Sequence, residues 1–64
     1  MKFSDLVRLL EKNGFRIIKE KGSIRYYGKV GRDKLIRLDY HSSKEVPGGT
    51  CSAILKAAGL KNED

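Results

Sequence analysis

The chain has 64 residues, 39% of them hydrophobic, and a net charge of +6 at pH 7. A chain this short buries only about 60% of the surface that its unfolded form exposes. One cysteine and one histidine exclude an internal disulfide and a zinc site, the usual supports of small domains. The N-terminal stretch MKFSDLVRLLEKNG carries charges throughout and lacks an unbroken apolar segment, so we expect neither a signal peptide nor a membrane span there. We therefore expect one cytoplasmic domain over residues 1–64.

The positive charge is concentrated in the middle of the chain. Residues 16–37 contain eight lysines and arginines but only two acidic residues, Glu20 and Asp33, whereas the charges of the remaining residues cancel. A cationic cluster attracts polyanions, and nucleic acid is the commonest such partner. The alternative is a soluble domain with a solvated, lysine-rich face.

A helix is predicted over residues 4–13. The hydroxyl of Ser4 is a candidate N-cap, and Asn13-Gly14 supplies an end, because glycine accepts the left-handed backbone that closes a helix. Apolar residues recur between these points at spacings of three and four. They are Phe3, Leu6, Val7 and Leu10.

Three strands are predicted next. Residues 15–19 and 23–27 are rich in β-branched and aromatic side chains, and the glycine-containing stretch 28–33 is typical of a hairpin loop. Residues 34–40 form the third predicted strand, in which Ile36, Leu38 and Tyr40 lie on one side. Strands joined by short loops favour an antiparallel meander.

A second helix completes the α+β order α-β-β-β-α. Residues 47–50 contain turn residues and a possible N-cap at Thr50, and Gly59 followed by Leu60 fits a helix end. Helical spacing relates Cys51, Ile54, Leu55 and Ala58. Two helices with one apolar stripe each can cover one face of a three-stranded antiparallel sheet, which leaves the opposite face open to solvent or a ligand.

The second predicted strand carries two tyrosines on opposite faces. Ile24 and Tyr26 share one face, and Arg25 and Tyr27 share the other, so one tyrosine points toward the helices and one away. An outward tyrosine among lysines and arginines matches the stacking and cationic contacts that hold single-stranded nucleic acid. Ordinary cross-strand packing is the alternative, since aromatic residues favour strands.

Four stretches in order resemble the HicA (YcfA-like) toxins, small ribonucleases of bacterial and archaeal toxin-antitoxin pairs. They are KFSDLVRLLEKNGF, the KGS of residues 21–23 followed by Tyr27, His41 after the third strand, and PGGTCSAILKAAGL. Together they span residues 2–60. The resemblance implies a fold like that of double-stranded-RNA-binding domains, cleavage of mRNA without a metal or other cofactor, and neutralisation by a HicB-like antitoxin.

Ile24 departs from this resemblance. HicA toxins typically carry Gly-Ser-His at this point, and their catalytic histidine corresponds to Ile24. Isoleucine cannot transfer a proton, and the loss of a general acid or base costs about 10²- to 10⁴-fold in rate. A native Ile24 predicts weak, relocated or absent activity, and an introduced Ile24 would mean a disarmed toxin.

His41, the remaining imidazole, is the candidate catalytic residue, with a polar turn as its alternative role. The candidate RNA-binding residues are Lys21, Ser23, Arg25, Tyr26 and Arg37, each of which also fits a solvated or structural role. Cys51 lies on an apolar stripe, so we expect it to be buried. Two other functions stay open: an RNA-binding or antitoxin-binding module without catalysis, and a structural interaction domain whose open face binds a partner.

Overall fold

The computed structural model describes residues 1–60 and contains two helices and three strands in the predicted order. They are α1 Phe3–Lys12, β1 Arg16–Lys21, β2 Ile24–Gly28, β3 Ile36–Asp39 and α2 Gly48–Ala57. The predicted α-β-β-β-α order of a small α+β fold is therefore confirmed. Within the described residues, no helix is both long and apolar enough to cross a membrane.

The three strands form one antiparallel sheet in the order β1-β2-β3, as a meander requires. β2 lies in the centre, so β1 and β3 are the two edges. The register between β1 and β2 shifts between Ile17 and Lys19, which makes Ile18 the extra residue of a β-bulge. The register between β2 and β3 runs without a shift.

One hydrophobic core joins both helices to one face of the sheet. All four apolar residues of the first predicted stripe are buried, and Tyr27 and Phe15 are among the largest fully buried side chains. The core contains Phe3, Leu6, Val7, Leu10, Phe15, Tyr27, Ile36, Leu38, Val46, Ile54, Leu55 and Ala58. The other sheet face is left uncovered by the helices, as predicted.

Both helices end as the sequence predicts. After α1, Gly14 adopts a φ of 93°, its N–H donates to Glu11 O, and the N–H of Phe15 donates to Leu10 O. This pair of bonds is the Schellman motif, which satisfies carbonyls that the helix itself leaves unpaired. The same pattern closes α2, where Gly59 has a φ of 74°.

The predicted N-caps are wrong. α1 begins at Phe3 with Lys2 in the cap position, and no side chain caps it. The N–H groups of Phe3 and Ser4 instead donate to the carbonyls of Lys44 and Ser42, at 3.0 Å each. Carbonyl groups of a distant backbone segment thus accept hydrogen bonds at the helix start, where a capping hydroxyl would otherwise be the acceptor. α2 begins at Gly48 with Pro47 as its cap, which places Thr50 inside the first turn.

The strand boundaries also differ from the prediction. Phe15 precedes β1 because it closes α1, and Gly28 belongs to β2 rather than to the hairpin loop. Lys34, Leu35 and Tyr40 lie outside β3, although Tyr40 still donates its N–H to Ser23 O at 2.8 Å. Residues 61–64 of the predicted domain lie outside the described part of the chain.

Candidate nucleic-acid interface

Burial decides which tyrosine faces the helices. Tyr27 is 1% exposed and belongs to the core, so its side of β2 is the covered one. Side chains alternate along a strand, so the half-buried Ile24 and Tyr26 lie on the open face. Tyr27 therefore points toward the helices, and Tyr26 points away from them.

Ile24 lies between two oppositely charged neighbours on the open face. Its direct cross-strand partners are Lys21 on β1 and Asp39 on β3. Directly opposed residues of antiparallel strands share a face and have neighbouring Cβ atoms. A side chain at position 24 therefore emerges between an ammonium group and a carboxylate.

Asp39 connects two of the predicted site residues. One of its carboxylate oxygens accepts a 2.7 Å hydrogen bond from Ser23 Oγ, and the other lies 3.3 Å from His41 Nε2. The Ser23 hydrogen bond, the contact with His41 and the charge of Arg37 together hold the pKa of Asp39 below its ordinary value. An ionised carboxylate, directly across from position 24, thus orients the imidazole.

His41 is fixed from a second side by the core. Its ring packs against the Phe3 ring in a T-shaped contact, with ring centroids 5.5 Å apart and an angle of 74° between the ring planes. The imidazole remains 45% exposed, so its solvent-facing side is accessible to a substrate. Because Asp39 stands between Ser23 and His41, the serine donates to a carboxylate rather than to an imidazole. The order required to activate a serine nucleophile is therefore not present here.

Tyr26 occupies the next position along the open face. Its direct partners are Lys19 on β1 and Arg37 on β3, and Lys19 Nζ lies 6.0 Å from the Tyr26 ring centroid. Arg37 is exposed and makes no ion pair within residues 1–60. An aromatic ring between two cations suits a stacked base with phosphates on either side.

Arg25 lies on the opposite, covered face of β2. Its Nη1 donates to Tyr27 Oη at 3.2 Å, and the guanidinium stacks 3.9 Å from the Tyr40 ring centroid. Its Nε lies 3.5 Å from a carboxylate oxygen of Glu20. The hydrogen bond with Tyr27 is the main cause that raises the pKa of Arg25 above its ordinary value. The structure therefore separates Arg25 from the other predicted RNA contacts.

An exposed apolar pair continues the open face beyond Tyr26. Ile18, 61% exposed, and Leu35, 49% exposed, meet above Gly28. A Cβ at Gly28 would lie 3.0 Å from a side-chain carbon of each. The missing side chain of Gly28 thus lets these two residues close over the strand.

Two site residues escaped the sequence prediction. Asp39 alternates with Leu38 in the third strand, which indicated a polar row, but only the register places Asp39 opposite Ile24. Lys19 reaches Tyr26 because the bulge at Ile18 shifts the pairing, and no local sequence signal marks that bulge.

Cys51, which was expected to be buried, is only partly buried and packs against the core. Within the described residues, no group of three His, Cys, Asp or Glu side chains forms a metal site.

The family comparison agrees with this architecture. The model of the HicA toxin of bacterial toxin-antitoxin systems matches residues 3–60. This match covers nearly the full length of the cationic α-β-β-β-α chain. It therefore defines the chain as a toxin of a toxin-antitoxin pair. The chain belongs to the HicA toxin family, as the sequence motifs predict. No curated protein matches it significantly.

Proposed function

We propose that this protein is a metal-independent endoribonuclease that cleaves single-stranded mRNA, inhibits translation and is neutralised by a HicB-like antitoxin. The observation that carries the proposal is the Asp39–His41 pair beside Ile24, at the position of the family's histidine, on an open and cationic face. Family membership supports the same activity. We place the action in the cytoplasm and in a single domain over residues 1–64.

Metal-free RNA cleavage requires three contributions. A base removes the proton of the ribose 2′-hydroxyl, an acid protonates the leaving 5′-oxygen, and cations stabilise the charge on the phosphate. His41 supplies the proton transfer, and the ionised Asp39 holds its ring in place. Lys21, as the cross-strand neighbour of position 24, supplies positive charge.

The remaining open-face residues bind rather than react. Tyr26 stacks on a base, and Arg37 contacts a phosphate. Ser23 orients Asp39 through its hydrogen bond, and therefore acts on His41 indirectly. Arg25 was predicted from the sequence as an RNA contact, but its guanidinium is engaged by Tyr27 and Tyr40 on the covered face, so we propose a structural role for it instead.

One imidazole serves only one of the two proton transfers well, so cleavage by this chain is expected to be slow. Ile24 occupies the place from which a second imidazole would act. Supplying that group as Ile24→His is expected to raise the rate by about 10²- to 10⁴-fold, the usual contribution of a general acid or base.

The test is cleavage of a labelled single-stranded RNA with EDTA present. The unchanged protein is compared with Ile24→His, His41→Ala and the control Arg8→Ala, whose exposed side chain pairs with Asp5 on α1. Slow cleavage that disappears in His41→Ala and persists in Arg8→Ala supports the assignment. Equal cleavage by the unchanged protein and His41→Ala would remove His41 from the mechanism.

Ile24 also favours a second function, a catalytically silent module that binds RNA or the antitoxin. This function predicts no cleavage by the unchanged protein, together with RNA binding that weakens steeply with salt. RNA binding that is indifferent to salt contradicts it. Tight binding to an acidic protein without RNA affinity would instead indicate a structural interaction domain.

A further inference from the structure

The outer edge of β3 presents unpaired backbone groups. Tyr40 N donates to Ser23 O, so these two residues form a hydrogen-bonded pair at the end of the β2–β3 ladder. Bonded and non-bonded pairs alternate in antiparallel strands. In the observed register, Leu38 and Ile36 therefore bond to β2, whereas the N–H and C=O groups of Arg37 and Asp39 point away from it.

A groove of about 780 Å³ runs along this edge. Five consecutive residues, 35–39, line it. Residues 36–39 form β3, and consecutive side chains of a strand point to opposite faces of the sheet, so one groove meets all four only along the backbone edge. The length of this lining corresponds to about five residues of extended chain, or roughly 16 Å.

Helix α2 forms the opposite wall of the groove and leaves room for a backbone. Gly49, Ala53 and Ala57 line the groove at intervals of four residues, which places them on one side of the helix. Their small side chains allow close approach. Phe3 and Ile54 contribute apolar surface. The groove therefore offers strand-pairing groups on one side and an apolar, small-residue surface on the other.

The two sheet edges differ in how they are protected. β1 carries a bulge at Ile18 and the exposed side chains of Lys19 and Lys21, features that discourage pairing with another strand. β3 has no bulge, and its register is regular throughout. The edge that is open to pairing is therefore the one beside the groove.

The free charge at the groove is positive. Both lining carboxylates are already engaged, Asp39 by Ser23 and His41, and Glu45 by the Met1 ammonium at 2.9 Å. The lining cations Arg37 and Lys44 make no ion pair within residues 1–60. An occupant that carries acidic side chains could form ion pairs with these two cations.

We propose that this groove binds an extended, acidic segment of a partner protein, which pairs with β3 as a fourth strand. Main-chain bonds to Arg37 and Asp39 give affinity, and the cationic rim selects acidic sequences. The side chains of the same two residues lie on the open face, beside Tyr26 and Ile24. His41 also lines the groove, so a bound segment would contact the Asp39–His41 pair directly and leave the side chains of Tyr26 and Ile24 uncovered.

The experiment uses the full chain, labelled with ¹⁵N, and the capped peptide acetyl-Thr-Glu-Val-Glu-Val-Glu-Thr-amide as the probe. NMR follows amide shifts and hydrogen exchange during titration. Binding is expected to slow exchange at the amides of Arg37 and Asp39 and to leave the Tyr26 amide unchanged. A copy with lysine in place of glutamate is expected to bind at least tenfold more weakly, and a copy N-methylated at alternate residues is expected not to bind.

A pair of variants locates the peptide. Ala53→Gln fills the groove from an exposed helical position and is expected to weaken binding at least tenfold. Lys56→Gln lies on the same helix outside the groove lining and is expected to change it little. Peptide shifts centred on Tyr26, equal binding of the lysine copy, or no binding at millimolar peptide would each overturn the proposal. These readouts involve no RNA cleavage, so the strand-binding and ribonuclease proposals fail independently.

Discussion

The two faces of β2 differ in how completely their side chains are satisfied. On the covered face, Tyr27 is buried and Arg25 is bonded to Tyr27 and stacked on Tyr40. On the open face, Tyr26 and Ile24 are half-exposed among cations, of which Arg37 has no ion-pair partner in the described chain. Neighbouring residues of one strand therefore serve stability on one side and the proposed site on the other, and paired substitutions separate these roles.

The largest difference is expected between the two tyrosines. Tyr27→Ala removes a large core side chain and is expected to cost about 3–5 kcal/mol, which approaches the whole stability of a domain of this size, about 3–10 kcal/mol. Tyr26→Ala is expected to cost less than about 1 kcal/mol. Urea denaturation measures both, and equal losses would contradict the assignment of the two faces.

Substituting the two arginines is expected to have opposite consequences: Arg25→Ala lowers stability, whereas Arg37→Ala weakens RNA binding. Arg25→Ala loses a hydrogen bond and a stacking contact and is expected to cost about 1–2 kcal/mol of stability, with little change in RNA affinity. Arg37→Ala is expected to leave stability within about 0.5 kcal/mol and to reduce the salt slope of single-stranded RNA binding by about 0.7. If Arg25→Ala weakens RNA binding more than Arg37→Ala does, Arg25 belongs to the RNA interface after all.

A smaller effect is expected from Ser23→Ala, and it depends on pH. The pKa of Asp39 is lowered in the folded protein, first by the Ser23 hydrogen bond, so the ionised carboxylate stabilises the fold. That contribution is present above the unfolded pKa of about 3.9 and is lost as the pH falls through the lower folded pKa.

Ser23→Ala is therefore expected to be less stable than the unchanged protein near neutral pH and to match it in acid. NMR titration of the Asp39 carboxyl carbon is expected to give a higher pKa in the variant. Ser4→Ala makes the same chemical change away from Asp39 and serves as the control. If the loss of stability in Ser23→Ala persists unchanged below the folded pKa of Asp39, the loss is caused by packing and not by the hydrogen bond to the carboxylate.

The smallest effect is expected from Gly28→Ala on the open face. The new Cβ would lie 3.0 Å from Ile18 Cγ1 and from Leu35 Cδ2, and both of these side chains are exposed enough to shift toward solvent. The expected change in unfolding free energy is within about 0.5 kcal/mol. Gly14→Ala is the contrasting variant, because a φ of 93° should cost about 1–2 kcal/mol with any other L-residue.

The order of the elements was predictable because each follows from local signals. The stripe from Phe3 to Leu10, the alternation around Tyr26 and the glycines after both helices each specify one element. The predicted cap at Ser4 failed for a nonlocal reason. The helix begins earlier, at Phe3, because carbonyl groups of residues 42–44, which are distant in sequence, accept from the N–H groups of Phe3 and Ser4.

The site was less predictable than the fold. Alternation sorts side chains into two sets but does not say which set faces the helices, so Tyr26 and Tyr27 were distinguished only by packing. The contact of Asp39 with His41, and its place opposite Ile24, depend on strand register. Register arises from the whole sheet, and the bulge at Ile18 alters it without a sequence signal.

The pairing of the N-terminal segment with the chain before α2 has a consequence for folding. Lys2 bridges to Glu45, and the core combines α1 with residues of α2, while the three strands between them pair with their sequence neighbours. Local pairings form early, whereas contacts between distant segments must first close a long loop. During synthesis we therefore expect the meander to pair before the core closes, and the contact of Phe3 with His41 to form only once the chain turns back on α1. On this order of events, the proposed site is expected to assemble late, after most of the chain has been made.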